Sequence, residues 1–287
     1  IWAGGKNKMI PKYLAEPGIP GRFSIFVEPF FGAGAMTVWM QRHRPDIDGF
    51  VFNDIKTELI DIYRAIKNNL IVFIEKLDNL EREYLSHKNR KEFYYDLRDQ
   101  YYNPPWDKTE ESAVLYFLML TSFNGIWQHN SASQGRFATP AGLLNQTESF
   151  IDKGNINEWS NFLRHAEFYD GDWSTCSGYD DAFYFLDPPY RGSCTSYGEE
   201  SDDELQSSLI DFCKTEDDKH NLVFLCNRKT DDTFFEDRKG NLDIKYYDVT
   251  YTAGRRKHEE DGFSAKQAVE ILLHSKTINN PTLDSFF

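Results

Sequence analysis

Four consecutive residues, Asp187-Pro188-Pro189-Tyr190, are of the types needed to handle an amino group. Two adjacent prolines fix the backbone and remove two N–H donors, leaving the carbonyls around them as acceptors. A carboxylate and a proline carbonyl can then each accept one hydrogen of the same amino group. The Tyr190 ring adds a face on which a planar base can stack. A second set of residues lies near the N-terminus. In Glu28-Pro29-Phe30-Phe31-Gly32-Ala33-Gly34 the glycines permit a tight turn that lets backbone approach a ligand at a helix N-terminus. Asp54 lies 20 residues after Gly34, the offset at which a strand-end acid meets ribose hydroxyls. Alone, this second set equally fits an ordinary glycine turn, and it lacks the third glycine of a dinucleotide fingerprint.

Residues of this kind need rigid elements behind them. Ser24–Glu28 is a short apolar run closed by an acid, followed by the glycine turn and a helix-compatible Ala35–Arg42. Gly49–Phe52 reads as a second strand ending at Asn53-Asp54. One long helical stretch follows, with apolar residues at three- and four-residue spacing from Leu59 to Leu77. Helical pattern covers Phe93–Tyr102, breaks at Pro104-Pro105 and resumes over Ser112–Ser122, whereas Phe123–Gly142 reads as turns or a hairpin. Strand pattern returns at Glu167–Tyr169, Ala182–Leu186 and Asn221–Cys226. The pair Ile244–Thr252 and Ala268–His274 reads as a final hairpin. Asp187 therefore follows a strand, on the carboxyl edge where open α/β sheets bind ligands. The order predicts a mainly parallel α/β sheet with an antiparallel C-terminal hairpin. It divides into a catalytic domain over residues 1–55 and 151–276, a mainly helical insertion over 56–150, and a tail over 277–287.

Composition narrows the function. The chain of 287 residues carries 46 acidic against 32 basic side chains, a formal net charge of -14, which excludes a uniformly polybasic nucleic-acid binder. With 40% hydrophobic and 16% aromatic residues it has the apolar surface for a core, unlike a disordered acidic tail. The longest apolar run, around Ala113–Leu120, is too short to cross a bilayer. The four cysteines form no CxxC pair and suggest neither a metal site nor a disulfide framework, as expected of an intracellular, reduced protein. The charge is unevenly spread. Ser112–Thr147 contains no Asp or Glu, Lys6, Lys8 and Lys12 precede the first acid at Glu16, and Glu199–Asp218 packs nine acids with one lysine.

Taken in order, Trp2-Ala3-Gly4-Gly5-Lys6, Phe26 to Gly34, Asn53-Asp54, Phe123-Asn124-Gly125, Phe137-Ala138-Thr139-Pro140 and Asp187-Pro188-Pro189-Tyr190 resemble Dam-type (class alpha, D12 family) DNA adenine-N6 methyltransferases from Trp2 to about His274. The resemblance implies a Rossmann-like S-adenosylmethionine-dependent fold and methyl transfer to adenine N6 in double-stranded DNA. It implies that Trp2, Lys6, Glu28, Phe30, Gly32, Gly34, Asp54 and Asp187 hold S-adenosylmethionine. Asp187, Pro188, Pro189 and Tyr190 become the catalytic motif that receives a flipped adenine. Asn124, Gly125, Ile126, Gln128, Asn130, Arg136 and Pro140 become parts of a DNA-probing hairpin. Apart from the resemblance, the basic run Arg255, Arg256 and Lys257 in the last hairpin's loop is expected to contact phosphates, a solvated charged loop being the alternative. Accepting both N6 hydrogens on Asp187 and the Pro188 carbonyl frees the nitrogen lone pair to attack the sulfonium methyl, with no covalent intermediate. The amino group is inaccessible in a stacked duplex, so the base must flip out. Cytosine-C5 methylation would need a nucleophilic cysteine after proline, and no cysteine here follows one.

Two departures from the family pattern bear on the target. Relatives that recognise GATC carry a basic residue where this chain has Ile1, and an arginine four residues after the hairpin asparagine where it has Gln128. Arginine reads guanine bidentately and glutamine prefers adenine, so GATC is not the expected target. The hairpin is also longer, through Ser131-Ala132-Ser133-Gln134. Asn227, ending a strand, is expected to help line the adenine pocket. The tail, with Asn280, Leu283, Phe286 and Phe287, resembles a sliding-clamp-binding box. Competing functions are RNA adenine-N6 methylation and an inactive methyltransferase-like DNA-binding module. The protein is expected to act as a monomer, without a metal or a membrane, in the cytoplasm or on DNA (in the nucleus for a eukaryotic or viral source).

Overall fold

A computed structural model describes residues 6–125, 127–128, 133, 135–142, 145, 147–192, 202–251 and 266–276. Trp2, Ile126, Asn130, Arg255, Arg256, Lys257 and the tail residues lie outside that set.

The strands are β1 (Ile25–Glu28), β2 (Gly49–Asn53), β3 (Ala166–Tyr169), β4 (Ala182–Leu186), β5 (Leu222–Arg228), β6 (Asp243–Tyr251) and β7 (Lys266–His274). They form one seven-stranded sheet in the order β3-β2-β1-β4-β5-β7-β6. β4 is buried at all five positions, as its unbroken Ala-Phe-Tyr-Phe-Leu run requires of a strand covered on both faces. It runs parallel to β1 (Ile25 opposite Ala182) and to β5 (Phe183 opposite Leu222). The order follows the doubly wound pattern as far as β5. There the expected C-terminal hairpin enters with β7 between β5 and β6, antiparallel to both.

The helices are α1 (Ile10–Ala15), α2 (Ala35–His43), α3 (Thr57–Asn68), α4 (Leu70–Ser86), α5 (Arg90–Tyr102), α6 (Lys108–Thr121), α7 (Lys153–Phe162), α8 (Asp202–Asp218) and α9 (Phe234–Arg238). The single helical stretch expected over Leu59–Leu77 is two helices. Asn69 takes φ −136°, ψ 41° between them, and its side-chain amide donates to the Thr109 hydroxyl at 3.1 Å. An asparagine amide that finds a partner off the helix competes with the backbone, and here it breaks a continuous apolar face. Most of the acidic run is helical: Gln206, Leu209, Ile210, Cys213 and Glu216 are buried and line one face of α8. Side-chain caps at Asn89, Asp107 and Asp152 start α5, α6 and α7, each accepting an N–H three residues on.

The chain divides into two compact units. The first comprises residues 1–6, 31–35 and 52–175. Its interior is built by α3 to α7, with the rings of Tyr84, Phe93, Phe117 and Phe150 meeting edge-on or tilted. The second comprises residues 7–30, 36–51 and 176–287. Its interior centres on the strand residues Phe26, Phe183, Phe185 and Phe224, and on Tyr13 of α1. Among the described residues no helix is long and apolar enough to cross a membrane.

Candidate active site

In the first unit the glycine turn is held from three directions. Phe31 N–H donates to the Asn53 carbonyl at 2.8 Å, Gly32 N–H to Asp54 Oδ2 at 2.9 Å, and the Tyr63 hydroxyl to the Gly32 carbonyl at 3.3 Å. The Phe31 ring stacks on Phe52 with centroids 4.2 Å apart. Gly34 N–H closes the turn on the Phe31 carbonyl at 2.8 Å. Gly34 has φ +62°, and a Cβ there would lie 2.5 Å from the Phe31 ring, so a side chain is excluded twice over. Asp54 is only 8% exposed. Its second oxygen accepts the Lys56 N–H at 2.9 Å, and burial raises its pKa above the usual 3.8 against the pull of these two N–H donors. Lys6 is buried, at 7% exposure.

The candidate probing loop also lies in this unit. Ser122 and Ala141 form an isolated antiparallel bridge, and Phe123 N–H donates to the Pro140 carbonyl. Gly142 sits where a Cβ would be 2.6 Å from the Ser122 carbonyl oxygen. Asn124 takes the left-handed conformation, φ +56°, beside Gly125, while its neighbour Phe123 is 50% exposed. Gln128 is fixed at its backbone, which donates to Thr139 Oγ1 at 3.2 Å and accepts from Ala138 N–H at 2.7 Å. The Thr139 carbonyl in turn accepts the Tyr94 hydroxyl at 2.7 Å, and Arg98 reaches the carbonyls of Ala138 and Thr139 from α5. Arg136 is engaged internally: it pairs with Glu111 of α6 and lies over the Tyr101 ring, 4.1 Å from its centroid. The anchors Tyr94 and Arg98 were not anticipated, because their partners are set by tertiary structure rather than spacing.

In the second unit Glu28 ends β1 at 3% exposure and accepts the Thr37 hydroxyl at 2.6 Å. Phe30 is half-buried just after it. Asp187 leaves β4 half-buried, followed by buried Pro188 and half-buried Pro189 and Tyr190. The Pro189 carbonyl accepts Gln206 Nε2 at 2.9 Å, whereas no donor among the described residues reaches the Pro188 carbonyl. Arg191 is clamped by Asp203 on one side and by Asp232 and Thr230 on the other, with Phe234 under its guanidinium at 4.2 Å. The Thr230 hydroxyl and the Arg191 guanidinium together pull the Asp232 carboxyl down to about 2. Asn227 is fully buried inside β5, its amide spent on Gln206 and on Arg191 N–H, which differs from the expected pocket lining. Tyr13, another residue the sequence did not mark, shares a hydrogen bond with the Cys226 thiol at 3.3 Å, and burial pushes its pKa up.

The arrangement thus offers a buried acid pinned to a glycine turn, and a carboxylate beside a proline carbonyl at a strand exit. Comparison with known proteins places the chain in a family. The model of the D12 class N6 adenine-specific DNA methyltransferases matches residues 2–257. The chain is 31% identical over 252 residues to the type II methyltransferase M.MjaIII of Methanocaldococcus jannaschii, covering 81% of this chain and 84% of that protein. It is 31% identical over 270 residues to M1.LlaDCHI of Lactococcus lactis subsp. cremoris, covering 89% and 88%. It is also 27% identical over 282 residues to a DNA adenine methylase of Vibrio cholerae, covering 90% and 92%. The chain belongs to the D12 class of N6 adenine-specific DNA methyltransferases.

Proposed function

We propose that this DNA adenine-N6 methyltransferase draws its methyl group from S-adenosylmethionine and holds the flipped adenine at Asp187, Pro188, Pro189 and Tyr190. The observation that carries the base assignment is the division of labour between the two prolines: the Pro189 carbonyl has a donor, Gln206, and the Pro188 carbonyl has none among the described residues. The Pro188 carbonyl and the Asp187 carboxylate can then each accept one N6 hydrogen, which localises the lone pair on nitrogen at the moment of attack. Tyr190 offers its ring to the base face.

The donor site proposed is Trp2, Lys6, Glu28, Phe30, Gly32, Gly34, Asp54 and Asp187. The residues fit such a group: Asp54 is buried with lone pairs beyond its two N–H bonds for a ribose diol, and the turn at Gly34 has no room for a side chain. When bound, S-adenosylmethionine supplies a methyl on a positively charged sulfur, so the protein needs no nucleophile of its own.

Residues 56–150 are proposed as the target-recognition region, with Asn124, Gly125, Ile126, Gln128, Asn130 and Pro140 on the DNA side and Phe123 as an exposed stacking face. Arg136, paired with Glu111, serves this role by holding the loop. Arg255, Arg256 and Lys257 are proposed as phosphate contacts, and Asn280, Leu283, Phe286 and Phe287 as a sliding-clamp box. The enzyme is proposed to act as a monomer inside the cell.

The test is transfer of labelled methyl groups from S-adenosylmethionine to duplex DNA and, separately, to RNA. Transfer to adenine N6 of DNA alone is expected, and Asp187→Ala should abolish it. Transfer to RNA alone, or an active Asp187→Ala, would overturn the assignment.

A further inference from the structure

The β4–β5 ladder ends at Leu186 opposite Leu225, just before the two prolines. Pro188 and Pro189 have no N–H, so the loop that carries Tyr190 cannot continue the pairing. Two side-chain amides take over. Gln206 of α8 donates from Nε2 to the Pro189 carbonyl at 2.9 Å, and its Oε1 accepts Asn227 Nδ2 at 2.8 Å. Asn227 Oδ1 accepts the Arg191 N–H at 3.1 Å and the Arg228 N–H at 2.9 Å. Gln206 and Asn227 are both 0% exposed.

The polarity of this chain is forced. A carbonyl can only accept, so Gln206 must present its NH2 to Pro189 and its oxygen to Asn227. Asn227 must then turn its NH2 to Gln206 and its oxygen to Arg191 N–H. Only one orientation of the two amides satisfies every group, and buried polar groups left unsatisfied are costly. The two loop atoms so held, the Pro189 carbonyl and the Arg191 N–H, flank Tyr190 on either side. The relay also occupies the Pro189 carbonyl, leaving Pro188 as the acceptor beside Asp187.

We propose that Gln206 and Asn227 are positioning residues for methyl transfer: a buried amide relay that fixes the backbone on both sides of Tyr190 and sets the plane on which the flipped adenine rests. The inference depends on the reading of Asp187–Tyr190 as the base site, and its test separates the two. Gln206→Met keeps the length of the side chain and removes both hydrogen bonds; Gln206→Glu keeps shape and acceptor but loses the donor to Pro189. In the full-length enzyme both variants should lower kcat by about tenfold or more, as small misplacements of a substrate do, while S-adenosylmethionine affinity stays within about twofold of wild type.

The decisive readout is emission from 2-aminopurine placed at the target adenine, which stacking on an aromatic ring quenches. In complexes with Gln206→Met and Gln206→Glu it should rise above wild type toward the level of Tyr190→Ala. Wild-type kcat and emission in either folded variant overturn the relay, as does a loss seen only in melting temperature. Failure of both variants to fold also overturns it, because the amides would then be needed for the fold itself. An Asp187→Ala variant with full activity would instead overturn the base-site reading on which the relay depends.

Discussion

Replacing Asp54 with asparagine separates two roles that the structure gives one side chain. The carboxylate accepts Gly32 N–H and Lys56 N–H, each at 2.9 Å. Asparagine has one acceptor oxygen, so one of these N–H groups would face an NH2 instead. A hydrogen bond to a charged group contributes about 1.5–3 kcal/mol. Part of that loss is offset because burying the carboxylate is itself unfavourable, as its raised pKa records. A net destabilisation of about 1–2 kcal/mol follows, a fall in melting temperature of about 2–6 °C for a chain of this size. Cofactor binding should suffer more. If the same carboxylate also receives the ribose hydroxyls, losing at least one charge-assisted bond weakens Kd by about 10- to 150-fold. Scanning fluorimetry and calorimetric titration with S-adenosylmethionine measure the two effects on one sample. An affinity within about twofold of wild type together with a lowered melting temperature would refute the ribose role and leave Asp54 as a pin for the turn. The pH dependence supplies a second check. A carboxyl whose folded pKa is raised takes up its proton early, so wild-type affinity should decline on acidification at a pH above 3.8, and Asp54→Asn should lack that step. For stability the sign is reversed, with the Asp54 contribution improving as pH falls through its folded pKa.

Three further outcomes are expected. NMR titration of the Asp232 carboxyl should give a midpoint of about 2, returning toward 3.8 in Arg191→Ala; any stability that this pairing adds is present above the unfolded value and lost as pH falls from 3.8 to about 2. Gln128→Ala should relax base preference at one position of the target by about 1–3 kcal/mol, read by sequencing modified bases, and an unchanged motif would remove Gln128 from recognition. DNA affinity, measured by anisotropy, should fall by about tenfold or more between about 50 and 200 mM salt despite the net charge of -14, and a flat response would contradict phosphate contacts.

What the sequence made legible is local. An apolar run into two prolines located β4 and its exit, and glycines after β1 located the turn, because each signal lies within a few residues of what it specifies. The hairpin of β6 and β7 was legible from alternation, but its entry with β7 beside β5 was not, since strand order depends on distant pairing. The break at Asn69 was hidden because its amide partner, Thr109, belongs to another helix. Most of all, the sequence showed α8 as charge. Its inner face, where Gln206 meets the Pro189 carbonyl, carries no motif and is found only by asking where the backbone groups of a proline loop find partners.

The anchoring at Thr139 of the loop proposed to probe DNA has a consequence for how specificity can change. Tyr94 and Arg98 of α5 hold one end, and Thr139 and Ala138 fix the backbone of Gln128 at the other. Between those two points the returning backbone is also tied down, by Arg136 on Glu111 and by the buried Phe137 ring, so variation is confined to side chains that these anchors do not use. Divergence toward a new target sequence can then proceed by exchange of those side chains, while the machinery that methylates the adenine is inherited unchanged.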